Sequence, residues 1–547
     1  MPNQQATLTV VTDRGRLNKV HRLNFNLIEC DKPGLQNYHP NFGGNHHLLI
    51  AVELPNTISE PPKSENHAHG HLIPMVDMGR LLAQQGVTVT IFTTPLNANR
   101  FSSTINRDAE SGLRIRAFTA QLPTHEVGLT DGCESMDMLP SRDLFTNLLH
   151  AMNMMQHPLE EFAVKANPRV SCIIADKNHS WIVDTSSKFK VPWVAFDGTS
   201  CYSLLCKSKI ISSKVLDNVV LDSEPFEVPG MPGPLILTKS QLPDVLVTPN
   251  RRNIIEAEGL AYGVVINSFE ELEGEYLREL RKVKGEKVWC VGPVSLCNKD
   301  NMDMVERGEK SSVEETECLN WLDEQQPGSV VYACLGSQSR PTVAQLIELG
   351  LGLEGSNWSF IWVIRGKNSK LEGLQRWLSE EKFESRIKGR GLLIRGWAPQ
   401  LLILSHHAVG GFLTHCGWNS TLEAICAGTP MITWPLFAEQ FFNEKFIVQV
   451  LKIGVRIGAE FAVKWGEEEK FGVVIRREDV MKAVNDLMNE NGEGQDRRQR
   501  AEELGKMANM AVGGGSSFLN VKSFINDIKE TQCLTYDSLS NSYRETL

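Results

Sequence analysis

Short apolar runs with the composition of β-strands alternate with helical patterns along most of this 547-residue chain. One helical pattern covers residues 73–86 and ends at Gly86, and a strand-like run follows from Val87. The alternation resumes after a polar segment at 297–317. Because parallel strands need helical crossovers between them, this order predicts an α/β fold with two doubly wound, Rossmann-like domains facing a cleft. Ligands of such sheets bind beyond the carboxyl ends of the strands.

The composition is that of a large globular enzyme. Hydrophobic residues make up 41% of the chain, enough to bury more than one core, and the net charge of −10 argues against nucleic acid as a partner. No run of about 18 apolar residues occurs, so we expect no membrane span, and the N-terminus lacks the apolar region of a signal peptide. Twelve cysteines spread through apolar runs favour reduced core thiols over a disulfide framework. These features predict a cytoplasmic protein, and we expect a monomer.

The stretch from Trp397 to Gln440 carries the densest concentration of polar and aromatic side chains around a glycine-lined turn. Residues 408–415 form a short apolar run of strand type, and a helical pattern follows that stops at Gly428. A phosphate fits at such a junction, because the free N–H groups and the positive end of the helix dipole point outward there. Gly417 allows close approach of the backbone. The stretch therefore indicates a site for a nucleotide diphosphate sugar.

With its WAPQ start, HCGWNS centre and EQ end, this stretch closely resembles the signature box of the plant family 1 UDP-glycosyltransferases. The resemblance covers roughly residues 45–530 and implies the GT-B fold. It also implies these UDP-sugar-binding residues: Trp397 stacked on uracil, Ala398 contacting the base through its backbone, Gln400 and Glu423 at the ribose hydroxyls, His415, Gly417, Asn419 and Ser420 around the diphosphate, Trp418, Glu439 and Gln440 facing the sugar, and Ser337.

Simpler explanations exist for single residues of the box. Ser420 and Glu423 have the spacing of a helix capping box, and Trp397 and Trp418 could be ordinary core residues. Packing and capping do not require all three motifs at these separations, so we favour the binding interpretation for the box as a whole. Gln440 at its end resembles the glucose-using members of the family.

A base is needed to remove the proton of an acceptor hydroxyl, and histidine suits this role near neutral pH. The resemblance implies that His71, which precedes the predicted first helix, is this catalytic base. It also implies that Asp176, at the end of a strand-like run, orients and stabilises the imidazole as carboxylates do in hydrolase triads. The structural alternative for His71 is a solvated residue at a helix start.

Histidines at positions 67, 69 and 71 alternate, and alternating rings on an extended segment can share a face and bind zinc or copper. We disfavour a metal site because no cysteine or acidic partner stands at a supporting spacing. Nor does the chain contain a convincing D-x-D element. The helix dipole, His415 and backbone amides would stabilise the departing diphosphate instead, so we expect no metal and no cofactor beyond the UDP-glucose co-substrate.

The resemblance also sets the expected domain organisation. Its GGGSS run at 513–517 could form a phosphate loop, but a flexible hinge with a serine N-cap before the last helix is favoured. The expected units are an extra, disordered segment at 1–44, an acceptor-binding domain at 45–296, a linker at 297–317, a UDP-sugar-binding domain at 318–515, a helix that crosses back to the first domain at 516–530, and a polar tail at 531–547.

An insertion of about a dozen residues at 55–66 departs from the family pattern just before His71. Two hypotheses follow. The first is an inverting O-glycosyltransferase that moves glucose from UDP-glucose to a hydroxyl of a small lipophilic plant metabolite, such as a triterpenoid or saponin, a flavonoid or other phenolic, or a hormone. The second is a UDP-sugar-binding pseudoenzyme whose His71 is displaced by the inserted loop. A nicotinamide dehydrogenase is disfavoured, because no G-x-G-x-x-G opens a helix with an acidic residue about 20 positions later.

Overall fold

Two parallel β-sheets, each packed between helices, form the frame of the protein. The computed structural model describes residues 26–27, 47–51, 68–130, 132–134, 139, 144–176, 181–247, 259–308, 311–312, 315–365, 368–463, 467–489 and 491–544. The insertion at 55–66 lies outside these residues, as does the segment 1–44 apart from Asn26–Leu27. The disorder expected for 1–44 stays a prediction, except at Asn26–Leu27, which form a strand.

The strands follow the order of the apolar runs in the sequence. They are β1 Asn26–Leu27, β2 His47–Ala51, β3 Thr88–Thr93, β4 Ile115–Thr119, β5 Val170–Asp176, β6 Trp193–Asp197, β7 Phe226–Glu227, β8 Ile236–Leu237, β9 Gly263–Ile266, β10 Val288–Cys290, β11 Val330–Cys334, β12 Ser359–Ile364, β13 Gly391–Arg395, β14 Val409–Thr414, β15 Met431–Thr433 and β16 Gly454–Arg456.

The first sheet has the order β1-β4-β3-β2-β5-β6-β9-β10, and the second has the order β13-β12-β11-β14-β15-β16. Pairing is parallel throughout both sheets except between β1 and β4. Strands β7 and β8 form a separate antiparallel pair. In both large sheets the order reverses beside the first parallel strand of the domain, which is the doubly wound arrangement predicted from the sequence.

Burial on both faces explains why the strands are continuous apolar runs. Successive side chains of β2 enter different cores, with Leu49 in one cluster and Leu48 and Ile50 in another. All seven residues of β5 are buried. Since side chains of a strand point alternately to opposite faces, both faces of the sheet must be covered.

The helices that cover the sheets fill the intervals between strands. In the first half they are Ala68–Gln84, Pro95–Asn99, Ser102–Glu110, Phe145–Asn153, Gln156–Lys165, Ile182–Phe189, Cys201–Ser213, Asp244–Val247 and Glu270–Lys284. Farther along they are Asn301–Val305, Glu315–Asp323, Val343–Gly355, Asn368–Glu380, Phe383–Arg386, Gln400–Ser405, Trp418–Cys426, Gln440–Lys445, Glu468–Phe471, Arg477–Met488, Glu493–Val512 and Ser516–Arg544.

The first helix begins earlier than the sequence pattern predicts. It starts at Ala68 and passes through Pro74, so His71 lies in its first turn instead of before it. The predicted helix began at Ile73, one residue before Pro74, and proline is usually confined to the start of a helix. At the other end Gly86 adopts the left-handed conformation, with φ of 79°, two residues after the helix ends.

The last helix packs against the first domain. Val521, Phe524 and Ile528 are buried in the same core as Trp289 of β10, and the carboxylate of Asp527 contacts Tyr262 and Lys287. This helix runs to Arg544, well beyond the predicted end near Glu530, because the polar residues that follow remain compatible with a helix.

The serines that open this helix do not act as the predicted N-cap. Ser516 is its first residue, and its hydroxyl donates to Glu271. The hydroxyl of Ser517 is buried and donates to the carbonyl of Gly292, which joins the helix to the end of the first sheet.

Candidate active site

One cleft receives residues from the carboxyl ends of both sheets. The strand order reverses between β2 and β5 in the first sheet and between β11 and β14 in the second, and such switch points are the usual ligand sites of doubly wound sheets. The cleft encloses about 1130 Å³ of empty space, part of it open to solvent. Of the predicted site residues, it is lined by His71, Ser337, Trp397, Ala398, Gln400, His415, Gly417, Trp418, Asn419, Ser420, Glu423, Glu439 and Gln440.

The turn from β14 into the next helix presents backbone donors to the cleft. The helix Trp418–Cys426 begins directly after Gly417, its N-cap, and no side chain caps its first turn. Its free N–H groups and the positive end of its dipole therefore lie beside the cleft. Ser420 is inside the helix and not at its cap, so the capping-box explanation of Ser420 and Glu423 is wrong.

His415 directly follows β14 and is held between two glycines. A Cβ atom on Gly417 would lie 2.4 Å from His415 Nε2, and one on Gly336 would lie 2.5 Å from the same atom. Burial lowers the pKa of His415 to about 4, so the ring is neutral at pH 7. Within the part of the chain that the structure describes, His415 Nδ1 and Gln338 Oε1 are buried without a hydrogen-bond partner. Orphaned polar atoms in a cleft indicate a polar ligand there.

Two residues without glycine's freedom adopt left-handed conformations beside the cleft. Cys416 has φ of 65° and Ala438 has φ of 52°, conformations that cost about 1–3 kcal/mol each for such residues. Cys416 separates His415 from Gly417, and Ala438 precedes Glu439. The surrounding fold therefore fixes the direction of these lining residues at the expense of local backbone strain.

A hydrogen-bonded group of side chains surrounds Glu423, which is only 4% exposed. Gln400 Nε2 donates to Glu423 Oε2 at 2.6 Å and to Ser420 Oγ at 3.1 Å. The guanidinium of Arg307 donates to the other oxygen of Glu423. The carboxylate therefore points at a fixed place on the cleft wall.

Trp397 also lines the cleft, and it is partly exposed. The guanidinium carbon of Arg365 is 4.6 Å from the ring centroid, a cation–π contact. The backbone of Gly308 approaches so closely that a Cβ atom there would lie 2.3 Å from Trp397 Cζ2. Ser312 donates through its N–H, at 2.9 Å, to the Trp397 carbonyl. Such an arrangement holds the indole as a flat wall beside Ala398.

Trp418 and Gln440, two of the residues expected at the sugar, already use polar atoms in hydrogen bonds within the protein. Trp418 is 2% exposed and its indole N–H donates to the carbonyl of Asn267 at 2.8 Å, so this ring belongs to the core between the domains. The amide oxygen of Gln440 accepts the N–H groups of Leu436 and Phe437 at 2.8 and 3.1 Å. This contact turns the nitrogen of the Gln440 amide away from the backbone.

His71 and Asp176 meet at the switch point of the first sheet. His71 Nδ1 is hydrogen-bonded to Asp176 Oδ2, although the two residues are 105 positions apart in the chain. His71 is 8% exposed and Asp176 is 4% exposed. His71 lines the cleft itself and Asp176 supports it from behind, as predicted from the resemblance.

A family model described as UDP-glucoronosyl and UDP-glucosyl transferase matches residues 308–491. UDP-glycosyltransferase 73C6 of Arabidopsis thaliana is 48% identical over 470 residues, which cover 85% of this chain and 95% of the relative. UDP-glycosyltransferase 73E1 of Stevia rebaudiana is 48% identical over 474 residues, with the same two coverages. The chain belongs to the plant family 1 UDP-glycosyltransferases. It is therefore a glycosyltransferase.

Solved structures of this family share the architecture. UGT73P12 of Glycyrrhiza uralensis, complexed with glycyrrhetinic acid 3-O-monoglucuronide, has a TM-score of 0.82 and 34% identity, covering 92% of this chain and 100% of that one. UGT89C1 of Arabidopsis thaliana, complexed with UDP-L-rhamnose, has a TM-score of 0.67 and 25% identity, covering 89% of this chain and 100% of that one. The two facing domains of this glycosyltransferase are the GT-B fold.

Some residues that line the cleft of this glycosyltransferase were not predicted. Arg365 directly follows β12 and Gly336 lies two residues after the end of β11, so the rule that ligands bind beyond the carboxyl ends of strands could have identified them. Met304 and Arg307 come from the segment that the sequence suggested was only a polar connection. No local signal marks them, because their place depends on how the linker folds back over the second domain.

Metal binding and membrane crossing can be judged for the described part of the glycosyltransferase. Among the described residues, no group of three or more His, Cys, Asp or Glu side chains is arranged to hold a metal ion. Positions 69 and 71 belong to the helix Ala68–Gln84 and not to the extended segment on which the metal hypothesis was based. Position 67 and the side chain of residue 69 lie outside what the structure describes, so binding of a metal there is not tested. No described helix combines the length and the apolar character that a bilayer crossing requires.

Proposed function

We propose that the protein is an inverting O-glycosyltransferase that moves glucose from UDP-glucose to a hydroxyl of a small lipophilic plant metabolite, acting as a monomer in the cytosol. One observation supports this proposal most directly. His71 lines the same cleft as the residues of the donor box, and Asp176 is hydrogen-bonded to it. A base and a donor site from different domains thus share one space.

His71 is the proposed base. The Asp176 carboxylate holds a proton on Nδ1 of His71, which leaves the lone pair of the imidazole on Nε2. The acceptor hydroxyl oxygen forms a bond to C1 of glucose while the bond from C1 to the phosphate oxygen breaks. The hydroxyl proton passes to His71 Nε2, and the Asp176 carboxylate stabilises the imidazolium. Attack opposite the leaving group inverts the configuration at C1 and releases UDP.

The leaving diphosphate is stabilised, in this proposal, by groups that the fold holds in place. The uncapped first turn after Gly417 supplies N–H donors, and neutral His415 can donate one hydrogen bond. Asn419, Ser420 and Ser337 line the same wall. Trp397 would stack on the uracil, with the backbone of Ala398 at the base edge. These groups are preorganised, which supports a mechanism without a metal ion.

The orientation of Gln440 supports glucose as the sugar. Because its amide oxygen is used by two backbone N–H groups, its NH₂ is the part left to donate to sugar hydroxyls. Glu439, beside it on the cleft, can accept from neighbouring hydroxyls. We expect kcat/KM to be higher for UDP-glucose than for UDP-galactose, and Gln440→His to narrow the difference. A wild-type preference for UDP-galactose or UDP-glucuronate would contradict the assignment.

The acceptor class rests on likeness to relatives. The structure of Glycyrrhiza uralensis UGT73P12 was solved with glycyrrhetinic acid 3-O-monoglucuronide, a triterpenoid glycoside. That likeness supports triterpenoids or saponins as acceptors, with flavonoids, other phenolics and hormones as further candidates. The competing pseudoenzyme hypothesis requires a displaced His71, and the contact of His71 with Asp176 favours the enzyme instead.

An acceptor screen tests the proposal. The full-length protein is incubated with UDP-glucose and each acceptor class, and mass spectrometry detects products that gain one hexose, with release of UDP measured in parallel. We expect transfer to at least one lipophilic hydroxyl compound. Binding of UDP by calorimetry without transfer to any acceptor would favour the pseudoenzyme, and absence of UDP binding would refute both.

A further inference from the structure

Arg307, from the linker between the two domains, lies at the nucleotide end of the cleft. Its Nε donates to Asp77 Oδ2 at 2.8 Å, and its Nη1 donates to Glu423 Oε1. All three side chains are enclosed, with exposures of 11% for Arg307, 3% for Asp77 and 4% for Glu423. Asp77 belongs to the first domain and Glu423 to the second, so one guanidinium joins both domains at a lining residue of the cleft.

The Glu423 carboxylate can accept more hydrogen bonds than the described residues donate to it. An ionised carboxylate has about four acceptor sites, two on each oxygen. Arg307 uses one site on Oε1, and Gln400 uses one on Oε2. Counting the hydrogen bonds that the described residues make, one site is left on each oxygen, and the pair matches the two neighbouring hydroxyls of a ribose.

We propose that Arg307 is a positioning residue for the ribose of the nucleotide, acting by holding the Glu423 side chain in one orientation. This inference rests on the proposed function, in which Glu423 accepts the ribose hydroxyls. Arg307 itself need not touch the nucleotide.

The charge of Arg307 is well supported by its surroundings. Burial alone lowers the pKa of Arg307, but the two carboxylates of Asp77 and Glu423 outweigh it and raise the pKa above its ordinary value. The buried charge of Arg307 is in turn compensated by the two acidic side chains to which it donates. Charge-assisted hydrogen bonds of this kind also fix direction more strongly than neutral ones.

The first-domain end of the bridge is braced. Asn298 donates to Asp77 Oδ1 at 3.0 Å and accepts from Arg80 Nη1 at 2.6 Å. Asp77 lies six residues after His71 on the helix Ala68–Gln84. Nucleotide binding at Glu423 is thereby tied mechanically to the helix that carries the proposed base.

The test compares two ligands by isothermal titration calorimetry: UDP and 2′,3′-dideoxy-UDP, which lacks both ribose hydroxyls. In Arg307→Met, UDP should bind about tenfold more weakly, the effect of losing one charge-assisted contact. Binding of 2′,3′-dideoxy-UDP should change by less than about threefold, since Glu423 has no hydroxyls to accept. Glu423→Gln should weaken UDP similarly, and adding Arg307→Met to it should weaken UDP little further.

Equal weakening of both nucleotides, or of neither, by Arg307→Met would overturn the positioning role. Arg386→Met is the matched control, since it removes an arginine that pairs with Glu354 at 2.7 and 2.8 Å outside the cleft, and neither nucleotide should respond. If Arg307→Met fails to fold, Arg307→Lys carries the test, because it keeps the charge but cannot reach both carboxylates. Failure of the wild type to bind UDP would refute the donor site itself, and the ribose inference with it.

Discussion

Each switch point of this glycosyltransferase presents one histidine to the cleft, and the two histidines have opposite surroundings. His71, at the first sheet, is hydrogen-bonded to the carboxylate of Asp176. His415, at the second sheet, has a pKa lowered to about 4 by burial and packs against glycines. The same residue type thus has an acidic partner at one site, where we propose that it takes up a proton, and is kept neutral by burial at the other.

The neighbouring strand makes the difference. Strand β5 pairs with β2 and ends in Asp176, so a carboxylate stands behind His71. Strand β11 pairs with β14, and the chain after it turns through Gly336, which has φ of 82° and no side chain. The first sheet therefore places a carboxyl side chain beside its histidine, whereas the second sheet places a glycine, which has no side chain, beside its own. This contrast agrees with the proposed roles, in which His71 is the base and His415 binds the donor.

Of the changes that test this contrast between His71 and His415, we expect His71→Ala to have the largest effect. Loss of a positioned base should lower kcat by about 10²–10⁴ while the affinity for UDP changes by no more than a few fold. Steady-state kinetics and UDP calorimetry measure the two quantities. His157→Ala is the control, since His157 is an exposed surface residue whose ring contacts Glu161. Full kcat in His71→Ala would mean that another group is the base.

Asp176→Asn tests the same site through the partner. An amide can occupy the carboxylate position but cannot stabilise the imidazolium, so kcat should fall while circular dichroism stays unchanged. UDP binding should again be preserved. A fall in UDP affinity with unchanged kcat would mean that Asp176 contributes to binding of the donor and not to proton transfer.

A substitution at the second site should instead weaken binding of the UDP-sugar donor. Gly417 has an ordinary φ of −60°, so Gly417→Ala adds no backbone strain, but its Cβ atom would lie 2.4 Å from His415 Nε2. Displacement of the ring and the helix start should lower kcat/KM for UDP-glucose by up to about 10²-fold and weaken UDP. Gly274→Ala, where the nearest atom would be 3.9 Å away, should change neither. Unchanged UDP affinity in Gly417→Ala would contradict a diphosphate site at this turn.

The two sites also differ in how far they could be predicted from the sequence. The donor site is almost contiguous, because a strand, a turn and a helix within residues 397–440 supply most of its lining, and local patterns determine such a unit. His71 and Asp176 were assigned only through the resemblance, since a contact across 105 residues has no local signal. The sheet order was predictable in type from the alternation of elements.

Other features depended on tertiary contacts that sequence patterns do not encode. The first helix begins at Ala68, six residues before Pro74, against the usual helix signals. The polar linker was predicted, but not that its Arg307 would bridge two carboxylates from different domains. Pairing of charges in a long polar segment is decided by which surfaces it meets, and composition does not specify them.

A smaller effect concerns the pH dependence of stability at the second site. The unfolded chain protonates His415 below its ordinary pKa of 6.5, whereas the folded chain does not until about 4. Protonation therefore favours unfolding, and the contribution of His415, complete above 6.5, is lost as the pH falls toward 4. Between pH 7 and pH 5 the free energy of unfolding should fall by about 1–2 kcal/mol less in His415→Gln than in the wild type.

Denaturant titrations at the two pH values measure this difference. Glu273, whose pKa is raised to about 7 by burial, changes stability in the opposite direction, but equally in both proteins. An identical loss of stability in the wild type and in His415→Gln would show that His415 is not a buried neutral ring.

The smallest expected effect is that of metal removal. In the proposed mechanism, Asp176 stabilises the charge that develops on His71 at the first switch point, and the helix start after Gly417 and His415 stabilise the leaving diphosphate at the second. Since protein groups serve both charges, excess EDTA should leave kcat/KM nearly unchanged, with magnesium-saturated EDTA as the control. Full loss of activity with EDTA and its recovery with Mg²⁺, Mn²⁺ or Zn²⁺ would overturn this division of labour. It would also return attention to the histidine run at positions 67, 69 and 71, where a metal ion would then lie at the first switch point and not at the second.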